Sequence, residues 1–134
     1  YLSQQNILIA GSIKENLLIG GHAAVTEEEM KEALRLCTCD EWLDDMPDGL
    51  DTMLDEGGLR LSGGQRQMLI IARALLQKKP ILLMDETFSA IDKKRSVRII
   101  ENIRRAYPEK TILLISHEEE IVRCCDEQVM VSSM

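Results

Sequence analysis

Two adjacent glycines stand between a hydroxyl and an amide in the stretch from Leu61 to Gln65, and this stretch constrains the chain most strongly. Ser62 can cap the amino end of a helix, and Gln65 follows at the spacing of a capping box. The pattern predicts a helix that begins with uncovered backbone N–H groups and the positive end of its dipole. Such an end suits an anion such as phosphate. On these residues alone, a glycine turn that merely begins a helix is the alternative.

The remaining apolar pattern predicts short helices alternating with short strands. Thr26 and Glu29 form a second capping box, and Asp92 is a further candidate cap. Trp42 and Leu43 are expected to pack the helical part of the chain. The predicted helices are 27–37, 41–46, 62–77, Asp92 to about Tyr107, and 121–125, and the predicted strands are 81–84 and 111–115, both buried, and 128–131.

Polar residues follow both of the strands that are predicted to be buried. Asp85 and Glu86 follow the first strand, and His117 follows the second. Open α/β sheets bind ligands at the carboxyl ends of their strands, so these side chains are expected to converge there. Two adjacent carboxylates are costly at such an edge without a cation or a proton. The alternatives are a surface acidic turn and a structural histidine.

The amino-acid composition narrows the classes of protein to which this chain can belong. A chain of 134 residues with 45% apolar residues accommodates one domain or part of one. The net charge of −7 argues against a nucleic-acid partner. No apolar run reaches a membrane span, and no signal-peptide pattern occurs at the start. The spacing of the four cysteines favours free thiols in a reducing compartment over a metal site.

Residues 61–65, LSGGQ, together with the apolar helix that follows them, closely resemble the signature motif of ATP-binding cassette (ABC) ATPases. Residues 11–17, GSIKENL, resemble a second stretch of that family. By the same resemblance, Gln4 matches the Q-loop glutamine, Asp85 and Glu86 match the Walker B pair, residues 89–92 match the D-loop, and His117 matches the switch histidine. Thr87, Phe88 and Glu118 depart from the usual pattern, which leaves local packing and loop charge open.

The resemblance implies roles for these positions toward ATP and Mg²⁺. Glu86 would polarise the attacking water, His117 would contact the γ-phosphate, and Gln4 would reach both the water and the metal. Asp85 would join Gln4 in the magnesium shell. The residues implied to bind nucleotide across a dimer interface are Ser62, Gly63, Gly64, Gln65 and Asp92.

The implied fold is an incomplete α/β P-loop NTPase (RecA-like) core with a helical ABC signature subdomain. The signature subdomain would span about 6–77, and the Walker B, D-loop and switch part about 78–134. No GxxxxGK[ST] Walker A loop occurs, so the chain is interpreted as the carboxyl-side part of a nucleotide-binding domain, inactive alone. Without the Walker A strand, the 128–131 strand is expected to rearrange or to pair with another chain.

The implied partners are a second nucleotide-binding domain, arranged head to tail, and a transmembrane domain contacted by the Gln4 loop and the Glu56 region. The acidic glycine segment 49–58 resembles the segment before the signature in exporter-type cassettes. This resemblance implies an exporter, located at the cytoplasmic face of a membrane through that domain. A soluble ABC-type ATPase acting on DNA or ribosomes and a non-catalytic interaction module are the alternatives.

Overall fold

A computed structural model describes residues 1–2, 7–21 and 24–132 of the protein. The helices are α1 (Ile13–Leu17), α2 (Glu27–Leu36), α3 (Asp40–Leu43), α4 (Gly63–Leu76), α5 (Lys93–Ala106) and α6 (Glu119–Val122). The strands are β1 (Gly11–Ser12), β2 (Met53–Leu54), β3 (Ile81–Asp85) and β4 (Thr111–Ile115), and 3₁₀ turns occupy Gly49–Asp51 and Glu56–Gly58.

The second half of the chain is a β3–α5–β4 unit with two parallel strands. The strands pair from Ile81 with Thr111 to Asp85 with Ile115, so their carboxyl ends are level. Asp92 caps α5 as predicted, its Oδ1 accepting the Arg95 N–H at 2.9 Å. Because of this register, the residues that follow β3 and the residues that follow β4 lie at the same edge of the sheet.

The first half is mainly helical and is organised by α4, which begins at the predicted position. Ser62 Oγ accepts the Gln65 N–H at 3.0 Å, and Gln65 Oε1 accepts the Ser62 N–H at 2.9 Å, which completes the capping box. The Thr26–Glu29 box is also confirmed. A third box, from Ser12 to Glu15, begins α1. Both halves share one apolar core, because α4 and α5 each bury a full face.

The short antiparallel pair β1–β2 joins two segments that are distant in the sequence. Gly11 pairs with Leu54 and Ser12 with Met53. The Gly57 N–H donates to Leu8 O at 3.0 Å, which fastens the segment before the signature to the segment after residue 6.

Three predictions about secondary structure need correction. The strand predicted at 128–131 is absent. Val129, Met130 and Val131 are 87–97% exposed, because no described strand lies beside them to accept a ladder of hydrogen bonds. Pairing of this segment with another chain stays a prediction. The predicted helices 41–46 and 121–125 are shorter and begin earlier, at Asp40–Leu43 and Glu119–Val122.

The strands are also less buried than predicted. In β3, Leu82 and Met84 enter the core, whereas Ile81 is 63% exposed. In β4, Leu113 and Ile115 are 57% and 47% exposed. Alternate side chains point to opposite faces, and only one face of this two-stranded sheet meets the helical core.

Candidate functional site

Glu86 and His117 meet at the carboxyl edge of the β3–β4 sheet. The Glu86 N–H donates to Ile115 O at 3.0 Å, which extends the ladder one residue beyond β3. Glu86 then turns with a φ of +50°, a strained conformation for a residue with a side chain. The turn places Glu86 Oε1 3.3 Å from Nε2 of the exposed His117. Of the three side chains expected to converge, Glu86 and His117 are therefore brought together.

Glu86 Oε1 is a buried oxygen without a hydrogen-bond donor among the described residues, since the His117 contact lacks hydrogen-bond geometry. A buried acceptor of this kind is costly unless a ligand or water supplies a donor.

Asp85 lies one residue before Glu86, and its Oδ2 accepts a hydrogen bond from the Tyr1 hydroxyl at 3.1 Å. This hydrogen bond to the carboxylate raises the pKa of Tyr1.

The signature loop, residues 61–65, packs directly on the D-loop. A Cβ on Gly64 would lie 2.9 Å from the backbone oxygen of Ala90, closer than side chains tolerate. A Cβ on Gly63 would lie 3.6 Å from Ala90 Cβ, an ordinary contact. Gly64 is therefore required for this close approach, a reason for glycine that is separate from anion binding.

A cavity of about 520 Å³ opens between the signature loop and the D-loop. Ser62, Gly63, Gly64 and Gln65 line one side, and Asp92 lines the other. The exposed Ser62 stands at the amino end of the 14-residue α4. All five residues predicted to bind nucleotide thus border one opening.

A second cavity, of about 350 Å³, lies between α4 and the carboxylate edge. Glu86 and Ser89 line one wall, and Arg66 and Gln67 line the other. Gln67 Nε2 is a buried donor without a partner among the described residues, opposite in character to the unpartnered oxygen of Glu86. The cavity is polar enough to hold water beside both groups.

The segment after Gln4 is held in place by two buried polar residues, Asn16 and Arg73. The sequence interpretation did not assign them this role. Asn16 is 2% exposed and binds both the N–H and the C=O of Ile9, at 2.9 and 3.0 Å, as well as Ser12 O. Arg73 donates to Ile7 O at 3.0 Å, and its burial lowers its pKa. Nothing local signals the Arg73 contact, because 66 residues separate the partners.

Gln4 lies outside the described residues. Glu56 is exposed. Three large apolar side chains near it in the fold, Ile7, Met53 and Leu59, are 65–75% exposed. They lie on segments that are joined by the Gly57–Leu8 hydrogen bond and by the β1–β2 pair. The two pairings thus place these exposed apolar side chains on neighbouring segments.

The four cysteines are free thiols, Cys37 and Cys39 buried and the other two partly exposed. No helix in the described part of the chain is both long and apolar enough to cross a bilayer. Within residues 1–2, 7–21 and 24–132, no three His, Cys, Asp or Glu side chains converge to hold a metal by themselves.

Comparison with known proteins identifies the family. The family model described as ABC transporter matches residues 1–89, more than half of the chain. The chain belongs to the ABC transporter family. Among its relatives, a multidrug resistance protein 1 of Entamoeba histolytica is 36% identical over 94% of this chain and 10% of the relative. A probable multidrug resistance ABC transporter ATP-binding/permease protein of Bacillus subtilis, YheI, is 38% identical over 94% of this chain and 21% of its own length.

The fold of this ABC transporter chain is that of a P-loop NTPase, as predicted. A bacterial Atm1-family ABC exporter solved with ATP bound matches it with a TM-score of 0.82 and 30% identity, covering 90% of this chain and 21% of that one. The chain thus aligns with part of that exporter, and it spans only about a tenth to a quarter of the length of the curated relatives it matches.

Proposed function

We propose that this chain is part of the ATP-hydrolysing domain of an ABC exporter that couples ATP hydrolysis to movement of a substrate across a membrane. The observation that carries the proposal is the meeting of Glu86 and His117 beside the buried α4 that begins at LSGGQ. The relatives named as multidrug or export ATP-binding/permease proteins support the exporter assignment.

Glu86 is proposed to polarise the attacking water. Its Oε1 needs a donor, and a water held there would satisfy it while being aligned for attack on a phosphate. His117, exposed beside it, would donate a hydrogen bond to a terminal phosphate oxygen. The strained turn at Glu86 supports this role, because such strain is concentrated at functional sites.

Magnesium fits the carboxylate edge. This ion is usually held by one or two carboxylates together with substrate phosphates and water, so a protein cage of three ligands is not required. Asp85 would hold it, with Gln4 proposed as a further ligand, and the ion would supply charge neutralisation at the phosphates. The Tyr1 hydroxyl donates a hydrogen bond to Oδ2 of Asp85 and so orients this carboxylate.

The signature loop and Asp92 are proposed to close over ATP held by a second nucleotide-binding domain. Ser62 and the first N–H groups of α4 offer donors to phosphate oxygens, and the Gly64–Ala90 contact holds this edge together with the D-loop. We also propose that the signature part spans about 6–77 and the Walker B part about 78–134.

The Gln4 loop and the Glu56 region are proposed to contact a transmembrane domain at the cytoplasmic face of the membrane. The exposed apolar side chains of Ile7, Met53 and Leu59 support this assignment. No nucleic-acid partner is proposed, given the net charge of −7. The 134-residue chain alone is expected to be inactive, because no Walker A motif occurs in it.

The test is ATP hydrolysis by the full-length protein in liposomes, with and without Glu86→Gln. Loss of a general base is expected to lower kcat about 100- to 10,000-fold. ATP binding should be unchanged, since the amide keeps the size of the side chain. Hydrolysis at the wild-type rate by the variant would contradict the proposal.

A further inference from the structure

Arg95 lies between two carboxylates that belong to different parts of the chain. Its Nη1 is 2.7 Å from Oε2 of Glu41 on α3, and its Nε is 3.4 Å from Oδ2 of Asp92 in the D-loop. Only 30% of the Arg95 side chain is exposed. One planar guanidinium therefore spans from the D-loop to the helical part of the fold.

The same guanidinium also reaches the signature helix through Thr38. Arg95 Nη1 donates to Thr38 Oγ1 at 3.0 Å, and this hydroxyl donates in turn to Met68 Sδ on α4 at 3.5 Å. Thr38 is 1% exposed and has a φ of +59°, so surrounding structure fixes its position. Asp92 is thus connected to α4 by a chain of contacts that passes through Arg95.

The side chain of Asp92 has few other restraints, although its backbone C=O accepts hydrogen bonds from the N–H and the hydroxyl of Ser96. Its carboxylate is 65% exposed, and among the described residues it contacts the Arg95 N–H, at 2.9 Å, and the Arg95 side chain. Without the guanidinium, the carboxylate would keep its helix cap and lose its connection to Glu41 and Thr38. The Gly64–Ala90 contact does not involve Arg95 and would remain.

We infer that Arg95 is a positioning residue that fixes Asp92 relative to the signature loop before both close over the nucleotide of the second domain. The inference rests on the proposed function, in which these two elements form one closing edge. If the two elements are already held in place relative to each other, less conformational entropy is lost when they close over the nucleotide.

Arg98 provides a matched control on the same helix. It also pairs with Glu41, but the contacts of Asp92 and Thr38 in the described part of the chain do not include it, and its side chain is 54% exposed. Arg95→Met and Arg98→Met remove the same charge from α5 and a pair with the same carboxylate. Only the first separates Asp92 from the helical part.

The experiment uses the full-length protein carrying Glu86→Gln, so that bound ATP persists. Closure is followed as protection of signature-loop amides from hydrogen exchange while the ATP concentration is raised. Arg95→Met is expected to raise the ATP concentration for half-maximal protection about 3- to 10-fold, the range of the net contribution of one typical intramolecular hydrogen bond. Arg98→Met is expected to raise it less than about 2-fold, as for an exposed ion pair.

A double-mutant cycle distinguishes positioning from a general structural effect. In an Asp92→Asn background, Arg95→Met should have less than half of its effect on the logarithm of the midpoint, because its partner is already weakened. If Arg95→Met protein does not reach the membrane, Arg95→Lys replaces it. One ammonium group cannot contact all three partners of the planar fork at once, and a rise of at least about 2-fold is expected.

Equal midpoints for Arg95→Met and Arg98→Met, a full effect in the Asp92→Asn background, or a wild-type midpoint for Arg95→Lys would each overturn the inference. Absence of any ATP-dependent protection in the Glu86→Gln parent would instead contradict the proposed function. The two failures are therefore distinguishable.

Discussion

Replacing Gly64 by alanine should destabilise the chain, whereas the same change at Gly63 should not. A Cβ added at Gly64 would lie 2.9 Å from the backbone oxygen of Ala90, and ordinary contacts begin at 3.4 Å. The D-loop backbone must therefore move by about half an ångström or more. Overpacking of this kind typically costs about 1–3 kcal/mol.

Gly63 is the matched control, because both glycines lie in the first turn of α4. Alanine at either position gains about 0.5–1 kcal/mol from helix propensity and from a less flexible unfolded chain. At Gly63 the new Cβ meets Ala90 Cβ at 3.6 Å without strain. Subtracting one variant from the other isolates the contact with the Ala90 carbonyl, at about 1–3 kcal/mol.

The assay is urea denaturation of the 134-residue protein, followed by fluorescence of Trp42, the only tryptophan. With a urea dependence of about 1–3 kcal/mol per molar, the midpoint for Gly64→Ala should lie roughly 1 M below that for Gly63→Ala. Coincident midpoints would refute the argument, because they would show that the D-loop yields to the new side chain freely.

Asn16→Ala leaves the two partly buried backbone groups of Ile9 without their side-chain partner and should lower the free energy of unfolding by about 2–4 kcal/mol, measured by the same denaturation; a change below about 1 kcal/mol would contradict this. Cys37 and Cys39 are fully buried whereas Cys124 and Cys125 are partly exposed, so a thiol reagent should modify only the latter two in the folded protein; reaction of all four without urea would contradict the buried placement. A hydrogen bond from Lys78 lowers the pKa of Glu29 from its usual 4.5, so its charge stabilises the fold above about pH 4.5 and is lost as the pH falls through the lowered pKa. The stability difference between the wild type and Glu29→Gln should therefore shrink on acidification, and a difference that grows below pH 4.5 would contradict the assignment.

Local signals correctly predicted the starts of the three capped helices α2, α4 and α5. Capping boxes and caps depend on residues three apart, so Ser62, Thr26 and Asp92 could be read directly from the sequence. The Ser12–Glu15 box had the same signal and could have been found in the same way. The apolar runs also located β3 and β4, because strands that enter a core need such residues.

Long-range contacts could not be predicted in this way. The apolar pattern of residues 128–131 matches a strand, yet a strand needs a neighbour, and none is described beside it. Arg73 and Arg95 act through partners 66 and more than 50 residues away, and their charge alone indicates a solvent-exposed face.

One long-range contact, the convergence of Glu86 with His117, was predictable because parallel strands bring their carboxyl ends to one edge.

The most direct measurement is a structure of the full-length protein carrying Glu86→Gln with ATP and Mg²⁺ bound. The account predicts that residue 86 and His117 lie within about 4 Å of the terminal phosphate, or of the water facing it, while Ser62 and Gly64 contact the nucleotide held by a second domain. A terminal phosphate bound far from His117, with the signature loop facing solvent, would contradict it.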